Sequence, residues 1–569
     1  MRSTKSPLVS LVLCVGAFGG ARSALADSTQ VIDGTLPEGA PDHVLVDFTV
    51  PAGTKEIEVR HVNNASENVL DFGVLDANGY RGWGGGTSEP AILGENAASR
   101  AYVPGPIAAG TWRVVIGKAK IAKTPATYHL EILYRDTPTL PAQAREPYVA
   151  SAPLKSEARW YAGDFHVHSK ESTDAKPEIS AIIAYAKTQN LDFVELSDHN
   201  TVTQDDFINA LQKGEPNLLL IPGIEFTTYR GHANAIGATK WVDHKIGLNG
   251  ATVQSAMDQI LDQGAAFSIN HPALNGNFGA IDLDALCIGC GWNHVVDYPR
   301  VTAVEIATNG WRQQLNGLLA TRSIGFWDFV LDKGAHAAAL GGSDDHSGGT
   351  EDGPLKSPIG DPTTMVFAEN LSAQAIVEAV KKGRTVVKLQ DNNDPMAELT
   401  SSVEGSMVGD VLSVRSTTLK AKVTGANGQK LRFVKNGSVV QTVAIGSDPF
   451  TTEMVVDAPP TGEDRYRVEV IVTNDAGAEE RRTITSHIFL KYGVGTTAPT
   501  GDAGGSAGNS GTDPGTTPET GAPAHNSGGE EDGGGCSIRE YSAKHGVFSA
   551  FIFGAVALLA SRARRRSKG

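Results

Sequence analysis

Cysteine is scarce in this 569-residue chain, which contains only four. Two of them, Cys287 and Cys290, form an isolated CxxC pair, whereas a structural zinc site usually needs a second pair or nearby histidines at ligand spacing. In an oxidising compartment the pair predicts a local disulfide or an inert pair, and a redox or metal role is the alternative. Cys14 and Cys536 lie near the two ends of the chain.

Basic residues are also too few to dominate the surface. The chain has 49 lysines and arginines against 64 aspartates and glutamates, which gives a formal net charge of −15. Nucleic-acid surfaces need clustered basic residues, so we expect no nucleic-acid partner. At ~100–200 residues per domain, the length predicts two or three folded units.

Neither of the two terminal apolar runs reaches the ~20 residues that a permanent membrane span prefers. The first run, at residues 8–18, follows Arg2 and Lys5 and precedes a small-x-small site at residues 24–26. This is the three-part pattern of a secretory signal peptide, so residues 1–26 predict export. A buried N-terminal strand is the alternative interpretation.

The C-terminal part lacks residues that could build a core. Residues 493–535 are almost entirely Gly, Ser, Thr, Pro, Ala, Asp and Glu, which predicts a disordered linker. Residues 536–569 begin at Cys536 and contain an apolar run at 547–560, followed by a basic end. Positive charge after an apolar run favours a membrane orientation with the basic end in the cytoplasm.

This arrangement resembles the Gly-Cys sorting tails of myxobacterial surface proteins. The resemblance implies processing near Cys536 by a sorting protease, and attachment to the membrane or cell envelope at the cell surface. A simple C-terminal anchor helix is the alternative interpretation.

Two segments predict β-sandwiches. Residues 27–136 contain alternating apolar and polar stretches, such as 44–48 and 112–116, separated by Gly, Pro and Asn turns. We expect an N-terminal accessory β-sandwich there, followed by a linker at 137–154. Short strand-like stretches return at 393–492, which is typical of an immunoglobulin-like sandwich.

Residues 155–392 instead alternate strand-like apolar runs with helical patterns. A helix is predicted at 177–189, and strands are predicted at 192–196, 218–221, 301–306 and 336–340. Such alternation indicates a parallel sheet or barrel. The predicted fold is therefore multidomain, with an α/β barrel flanked by two β-sandwich domains.

Histidines and carboxylates follow the strand-like runs of this segment one after another. In chain order they are His166, His168, Asp198, His199, Glu225, His232, His271, Asp344 and His346. Because the C-terminal ends of barrel strands converge on one face, these residues are expected to meet in space. Five such groups in succession disfavour the alternative, in which they are unrelated polar residues.

The ligand types indicate the chemistry. Two imidazoles in a His-x-His sequence lie on the same side of a strand, so one metal ion can take both. Imidazole and carboxylate without thiolate are typical of a catalytic site with open coordination positions. Bound divalent ions lower the pKa of water to about 7, which favours hydrolysis.

Several motifs of this segment resemble the polymerase-and-histidinol-phosphatase (PHP) superfamily. They are DFHVHS at 164–169, SDHN at 197–200, Glu225, NHP at 270–272 and GSDDH at 342–346. Residues 231–237 and 383–386 favour its carbaryl-hydrolase-like branch, and the match covers about residues 155–391. The resemblance implies a distorted (β/α)7 barrel that holds two or three Zn, Mn or Fe ions.

The resemblance also implies roles for individual residues. With Glu225 as the bridging ligand, the paired-metal core would comprise His166, His168, Glu225, His271 and Asp344. A further ion, or the completion of the same site, would involve Asp174, His199 and His346, and His346 also joins the predicted catalytic set. His232 is a further candidate ligand, and Asp198 either binds a metal or orients its neighbour.

The leading hypothesis is a divalent-metal-dependent phosphoesterase acting on a small extracellular molecule. An ester or carbamate hydrolase with the same site is the alternative, because the carbaryl-hydrolase-like branch contains such an activity. A surface protein that binds a ligand without catalysis is a third hypothesis. Two interpretations are open for Lys170, Arg230 and Arg384: they bind an anionic substrate, or they are ordinary charged residues of the surface. Glu305 either lines the site or caps a strand.

Overall fold

The computed structural model describes residues 27–39, 41–63, 67–278, 281–308, 314–350, 357–474 and 477–493. The predicted signal peptide and C-terminal tail, with Cys14 and Cys536, lie outside these residues, and so does nearly all of the predicted linker at 493–535. Across the part that the structure describes, no helix is long and apolar enough to cross a membrane.

The N-terminal part is built from eight strands. They are β1 (Ser28–Thr35), β2 (His43–Val50), β3 (Glu56–Asn63), β4 (Val69–Asp76), β5 (Gly79–Gly84), β6 (Ala91–Gly94), β7 (Gly110–Lys120) and β8 (Thr127–Arg135). They form two four-stranded antiparallel sheets, ordered β1-β8-β3-β6 and β2-β7-β4-β5. Alternate residues of these strands, such as Ile57, Phe72 and Trp112, are buried in one core. Full burial of such a side chain contributes about 1.5–3 kcal/mol.

The central part contains the twelve strands and six helices that carry the candidate site. The strands are β9 (Arg159–Val167), β10 (Phe193–Leu196), β11 (Leu219–Pro222), β12 (Glu225–Thr228), β13 (Gly231–Ile236), β14 (Ala266–Ile269), β15 (Asn277–Phe278), β16 (Ile281–Asp282), β17 (Ala303–Thr308), β18 (Ala338–Gly342), β19 (Thr363–Ala368) and β20 (Thr385–Lys388). The helices are α1 (Ile179–Thr188), α2 (Asp205–Gln212), α3 (Val253–Asp262), α4 (Leu283–Leu286), α5 (Gln314–Asp332) and α6 (Ala373–Lys381). The predicted helix at 177–189 and all four predicted strands are therefore confirmed, to within about two residues at their ends.

Ten of the twelve strands of the central part lie in two sheets, β15 and β16 pair with each other in a separate ribbon, and the structure does not show the implied (β/α)7 barrel. In one sheet β11, β10 and β9 are parallel, and the antiparallel strands β19 and β20 follow. The other sheet has the order β12-β13-β14-β17-β18. Its β12–β13 hairpin stands where a regular barrel would need a strand, a helix and a parallel strand. Because a hairpin joins two strands without an intervening helix, hairpins also explain why the described part of the chain has few helices.

The two sheets meet near the carboxyl ends of β9, β10 and β18 and the start of β12. Isolated parallel bridges join Val167 to Asp345 and His199 to Glu225. Because candidate ligands occupy or adjoin these bridges, the junction of the sheets determines which of them come together.

The C-terminal strands continue one of the central sheets. They are β21 (Met396–Ser401), β22 (Val411–Val414), β23 (Ser416–Thr424), β24 (Lys430–Lys435), β25 (Ser438–Ala444), β26 (Phe450–Asp457), β27 (Glu463–Thr473), β28 (Glu479–Thr485) and β29 (Ile488–Tyr492). Strand β28 pairs antiparallel with β20, so the sheet runs without a break from β11 to β25. A three-stranded sheet, β21-β23-β26, shares a second core with these strands.

Candidate metal centre

The structure brings all but one of the predicted ligands into a single cluster where the two sheets of the central part meet. His166 lies at the end of β9 and His168 directly follows this strand, while Glu225 is the first residue of β12. His271 follows β14 by two residues, and Asp344 follows β18 by two residues. All of these side chains except that of Asp344 are at least 97% buried.

Glu225 lies at the centre of the cluster. The distances from its carboxylate oxygens to imidazole nitrogens are 2.8 Å to His199, 3.1 Å to His271, 3.2 Å to His166, 3.3 Å to His232 and 3.7 Å to His168. A carboxylate surrounded in this way can contact more than one cation at once. This is the position that the sequence predicted for a bridging ligand.

Asp344 closes the cluster from the side of β18. Its Oδ1 is 3.3 Å from His166 Nε2 and 3.2 Å from His168 Nε2. The two imidazoles of the His-x-His sequence therefore point toward the same carboxylate. With Glu225, these three residues form a group whose ligand atoms all lie within 4.8 Å of one another.

Asp174 defines a neighbouring group of candidate ligands. Its Oδ2 is 3.3 Å from His199 Nε2 and 3.7 Å from His346 Nε2. The ring of His346 stacks on that of His168 with the centroids 4.1 Å apart. The two groups therefore adjoin through His168, which could serve either.

The buried ligand atoms fit divalent cations. Among the described residues, no group forms a hydrogen bond with the buried atoms His166 Nε2, His168 Nε2, His232 Nε2 and Glu225 Oε2, which is costly for polar atoms. Two ligand atoms about 2.0–2.1 Å from a tetrahedral ion lie about 3.3 Å apart. The separations of 3.2–3.3 Å between Asp344 Oδ1 and the two imidazoles match that distance.

Glu225, Asp344 and His168 have the protonation states that bind metals, whereas Glu225 and Asp344 raise the pKa of His166 well above its usual range against the effect of burial. Burial alone would raise the pKa of Glu225, but the charges of His166 and His232 hold it well below its usual range. The pKa of Asp344 is lowered in the same way, mainly by His166. Burial lowers the pKa of His168 to about 3. Anionic carboxylates and a neutral imidazole are the forms that coordinate cations.

Outer hydrogen bonds fix the orientation of the histidines. Glu305 Oε1 lies 3.1 Å from His166 Nδ1, and its Oε2 accepts a 2.7 Å hydrogen bond from the backbone N–H of His271. Ser172 Oγ lies 2.9 Å from His168 Nδ1. Contacts of this kind at Nδ1 direct Nε2 toward a metal. Of the two predicted roles for Glu305, the structure thus shows that it contacts the site.

Two candidate ligands have backbone conformations that are uncommon for residues other than glycine. The φ angle is 26° at His271 and 57° at Asp344. Left-handed conformations in such residues cost free energy, and they concentrate at functional sites, where the surrounding structure imposes them. Here the backbone N–H of Asp344 donates a 2.8 Å hydrogen bond to the carbonyl of His166, which fixes the turn after β18.

Asp198 is the predicted ligand that does not join the cluster. Its carboxylate accepts hydrogen bonds of 2.8 Å from Ser169 N, 2.9 Å from Ser169 Oγ and 2.9 Å from Ser172 N. Within the described residues it belongs to no group of candidate ligands. Asp198 therefore orients the loop after β9.

The N-terminal sandwich holds the loop that carries Asp174. The guanidinium of Arg100 donates hydrogen bonds of 3.2, 2.7 and 2.8 Å to the carbonyl oxygens of Lys170, Thr173 and Ala175. Thr173 Oγ1 donates to the carbonyl of Gly85. An accessory domain thereby fixes the position of a candidate ligand in the central part.

A cavity of about 370 Å³ opens over the cluster. Its walls combine candidate ligands with residues of β2, β4 and β5 of the sandwich. The three predicted anion-binding residues are absent from this lining and form ion pairs instead. The pairs are Lys170 with Glu178 at 2.8 Å, Arg230 with Asp42 at 3.6 Å and Arg384 with Asp410 at 2.6 Å.

The CxxC pair lies at the edge of this cavity. Cys287 and Cys290 form a disulfide with their Cα atoms 5.6 Å apart. This was one of the predicted alternatives. The carbonyl oxygen of Cys290 lies 3.1 Å from His271 Nδ1, so the disulfide-bonded turn also supports a candidate ligand.

Several residues of the site were missed by the sequence analysis. Asn270, which belongs to the NHP motif but was given no role, donates a 3.0 Å hydrogen bond to Glu225 Oε1. Thr227 Oγ1 lies 2.7 Å from His199 Nδ1. Ser172 and Arg100 carry no pattern in the sequence that could have indicated their contacts.

No family model matches the chain, and no curated protein matches it. One similar solved structure is a two-domain Bacteroides vulgatus protein containing a predicted PHP-like metal-dependent phosphoesterase. It is 20% identical, with a TM-score of 0.31, over 60% of this chain and 100% of that one. A candidate metal-dependent phosphoesterase from Bifidobacterium adolescentis is 14% identical, with a TM-score of 0.21, over 34% and 91% of the two chains. At these TM-scores the similarities do not assign the chain to a family.

Proposed function

We propose that this chain is a divalent-metal-dependent hydrolase, and more narrowly a phosphoesterase of the PHP superfamily that acts on a small extracellular substrate. The observation that carries the proposal is the convergence of five imidazoles on the buried carboxylate of Glu225. Unpaired buried nitrogens on three of these imidazoles support the presence of cations.

Two or three ions of Zn, Mn or Fe would be held by this cluster. The core would use His166, His168, Glu225, His271 and Asp344, with His232 beside it. A further ion would use Asp174, His199 and His346. When bound, such ions lower the pKa of water to about 7 and neutralise charge on the departing oxygen.

The residues of the chain contribute orientation and charge. Glu305 and Ser172 hold His166 and His168 with their Nε2 atoms directed at the carboxylates. Glu225 remains anionic, because its pKa is held well below its usual range by the histidines around it, against the effect of burial. A preorganised set of this kind needs no rearrangement when substrate binds, which favours catalysis.

A second candidate function is the hydrolysis of a carboxyl ester or carbamate. The observation that favours it is the absence of lysine and arginine from the described lining of the cavity. A phosphate ester would therefore depend on the bound ions alone for charge neutralisation, whereas an uncharged ester needs no further cation.

We also propose that the protein is exported and anchored at the cell surface, with processing near Cys536 by a sorting protease. Residues 1–26 and the sequence after residue 535 support this proposal. Labelling of intact cells with a membrane-impermeant reagent tests it for the wild type and a Cys536→Ala variant. Equal labelling of both would contradict a role for Cys536 in anchoring.

Metal content and hydrolysis together test the proposed function. Full-length protein is reconstituted with Zn, Mn or Fe, analysed for bound metal, and assayed on phosphomonoesters, phosphodiesters and aryl carbamates. The variants are a His168→Ala, Asp344→Ala double variant and a control, His129→Ala, whose exposed imidazole pairs with Asp33. We expect two or more equivalents of metal and phosphoesterase activity in the wild type and the control, and loss of both in the double variant. A folded wild type that takes up no metal would refute the proposal, and turnover of carbamates alone would favour the second candidate.

A further inference from the structure

The cavity over the candidate ligands is built jointly by two domains. His43 and Trp83 come from strands β2 and β5 of the N-terminal sandwich, whereas Tyr229 and His244 come from loops of the central part. The ring of Trp83 lies 4.6 Å from that of His244, and the ring of His43 lies 5.5 Å from that of Tyr229. These four rings, which we call the aromatic wall, belong to the same cavity as the metal cluster.

Two histidines of the aromatic wall are buried without hydrogen-bond partners. His43 is 3% exposed and His244 is 2% exposed. Nδ1 of His43 and both ring nitrogens of His244 have no hydrogen-bond partner among the residues that the structure describes. Buried polar atoms are normally paired, so unpaired ones that line a cavity indicate a ligand with complementary polar groups.

Both histidines are uncharged at neutral pH. Burial lowers the pKa of His43 to about 4, and the nearby charge of Lys245 adds to this effect. Burial and Lys245 also lower the pKa of His244 well below its usual range. A neutral imidazole offers one N–H donor and one acceptor nitrogen, which suits hydroxyl or amide groups better than anions.

The described lining also includes the apolar residues Val69, Ala119 and Ile288, and Asp71, whose carboxylate accepts a 2.7 Å hydrogen bond from the hydroxyl of Tyr229. A polyanionic substrate would find no basic side chain there. The volume of about 370 Å³ is near the lower end of the range for small-molecule sites. The cavity therefore suits a single ring rather than a polymer.

We propose that the aromatic wall binds the leaving group of the substrate, and that this group is an uncharged ring bearing a hydroxyl or amide. The substrate class is then an ester of one acidic group with a ring-bearing alcohol. The inference rests on the proposed function, because it assumes that the metal cluster in the same cavity hydrolyses the ester.

Three non-hydrolysable probes separate the contributions of the ring and its polar group. Metal-loaded full-length protein is titrated calorimetrically with methylphosphonate, phenylphosphonate and 4-hydroxyphenylphosphonate. We expect phenylphosphonate to bind on the order of tenfold more tightly than methylphosphonate, because the ring is buried. The hydroxyl should add a further gain of about 3- to 10-fold through a hydrogen bond to an imidazole.

Variants assign these gains to residues. In at least one of the variants His43→Leu and His244→Leu, the hydroxyl should no longer increase the binding affinity, because leucine forms no hydrogen bond. The ring should still increase the affinity in both variants, since leucine is apolar. His244→Gln, which retains a donor and an acceptor, should keep part of the hydroxyl gain if the leucine variant fails to fold. His129→Leu, on the exposed face of the sandwich, is the control.

Equal affinity for methylphosphonate and phenylphosphonate would overturn the inference, and so would a hydroxyl gain that survives in both leucine variants. The hydroxyl gain can also be measured in wild type and the leucine variants with phenol and hydroquinone, which has the same para arrangement. This measurement needs no metal. It therefore decides the inference even if the chain binds no metal and the proposed function fails. Conversely, if the ring and the hydroxyl both increase the binding affinity as expected but no ester is hydrolysed, only the proposed function is refuted.

Discussion

The guanidinium of Arg100 donates a 2.7 Å hydrogen bond to the carbonyl oxygen of Thr173, the residue directly before Asp174. Arg100 belongs to the N-terminal sandwich, and Asp174 is a candidate ligand beside His199. The contact means that the sandwich and the candidate metal centre are structurally coupled. An accessory domain of this kind can affect metal binding without contacting a metal.

Replacing Arg100 with methionine should therefore weaken the ion bound by Asp174. The loop would lose three hydrogen bonds to its backbone, at Lys170, Thr173 and Ala175. We expect affinity for one ion to fall by about 10- to 100-fold, as for other residues that position ligands. Elemental analysis at limiting metal concentration measures the change. Arg113→Met is the control, because Arg113 pairs with Asp47 on the exposed face, and an unchanged metal content in both variants would contradict the prediction.

Glu225→Gln should have the largest effect on the site. The substitution keeps the shape of the side chain but removes its negative charge from the centre of five imidazoles. We expect loss of bound metal and a decrease in kcat/KM on the order of 100-fold or more, since even residues outside the ligand set cost 10- to 100-fold. Glu131→Gln, at a half-exposed position of the sandwich, should behave as wild type. Full metal occupancy in Glu225→Gln would exclude a bridging role.

Glu305→Gln should weaken metal binding without removing a ligand. Glu305 contacts the Nδ1 of His166, the backbone N–H of His271 and the hydroxyl of Thr308. Glutamine offers one acceptor oxygen, so its NH2 group would oppose one of these partners. We expect metal affinity to fall by about 10- to 100-fold in a competition assay with a chelator. The matched control is Glu463→Gln, because Glu463 also contacts a histidine, His336, but outside the cluster; equal losses in the two variants would argue against a specific role for Glu305.

The pH dependence of stability should include a contribution from Glu469. This carboxylate lies 3.1 Å from Arg467 Nε and 2.9 Å from Arg481 Nε. Burial alone would raise its pKa, but the two arginines hold the pKa below the ordinary value of 4.5. A lowered pKa in the folded state contributes stability above the unfolded pKa, and this stability is lost as the pH falls through the folded pKa.

Glu469→Gln should accordingly unfold more easily at neutral pH, by about 3–5 kcal/mol, because it breaks a buried ion pair. Its stability should also fall less steeply than that of the wild type as the pH decreases below 4.5. Urea unfolding at a series of pH values measures both effects. Glu453→Gln serves as the control because its ion pair with Lys420 is exposed. Parallel acid profiles for wild type and Glu469→Gln would rule out this contribution.

The local sequence predicted the secondary structure of the central part well but not its sheet topology. Runs such as 192–196 and 336–340 correspond to β10 and β18, because a short apolar run between turn signals has few other stable conformations. The antiparallel pairing of β20 with β28 depends on contacts between distant segments, and the β12–β13 hairpin was not anticipated from the sequence. The apolar pattern of one strand does not specify which other strand it pairs with. For this reason a closed barrel was expected, whereas the structure has two joined sheets.

The sequence by itself determined which residues could bind metal, because ligand chemistry belongs to the side chain and the ends of strands are locally encoded. His166, His168 and Asp344 were identifiable for that reason. Only the tertiary structure decided that Asp198 is occupied by backbone N–H groups, that Glu305 supports the histidines, and that the sandwich completes the cavity. These roles arise where separate sheets and domains pack together, and the position of one surface against another depends on the whole chain rather than on any local pattern.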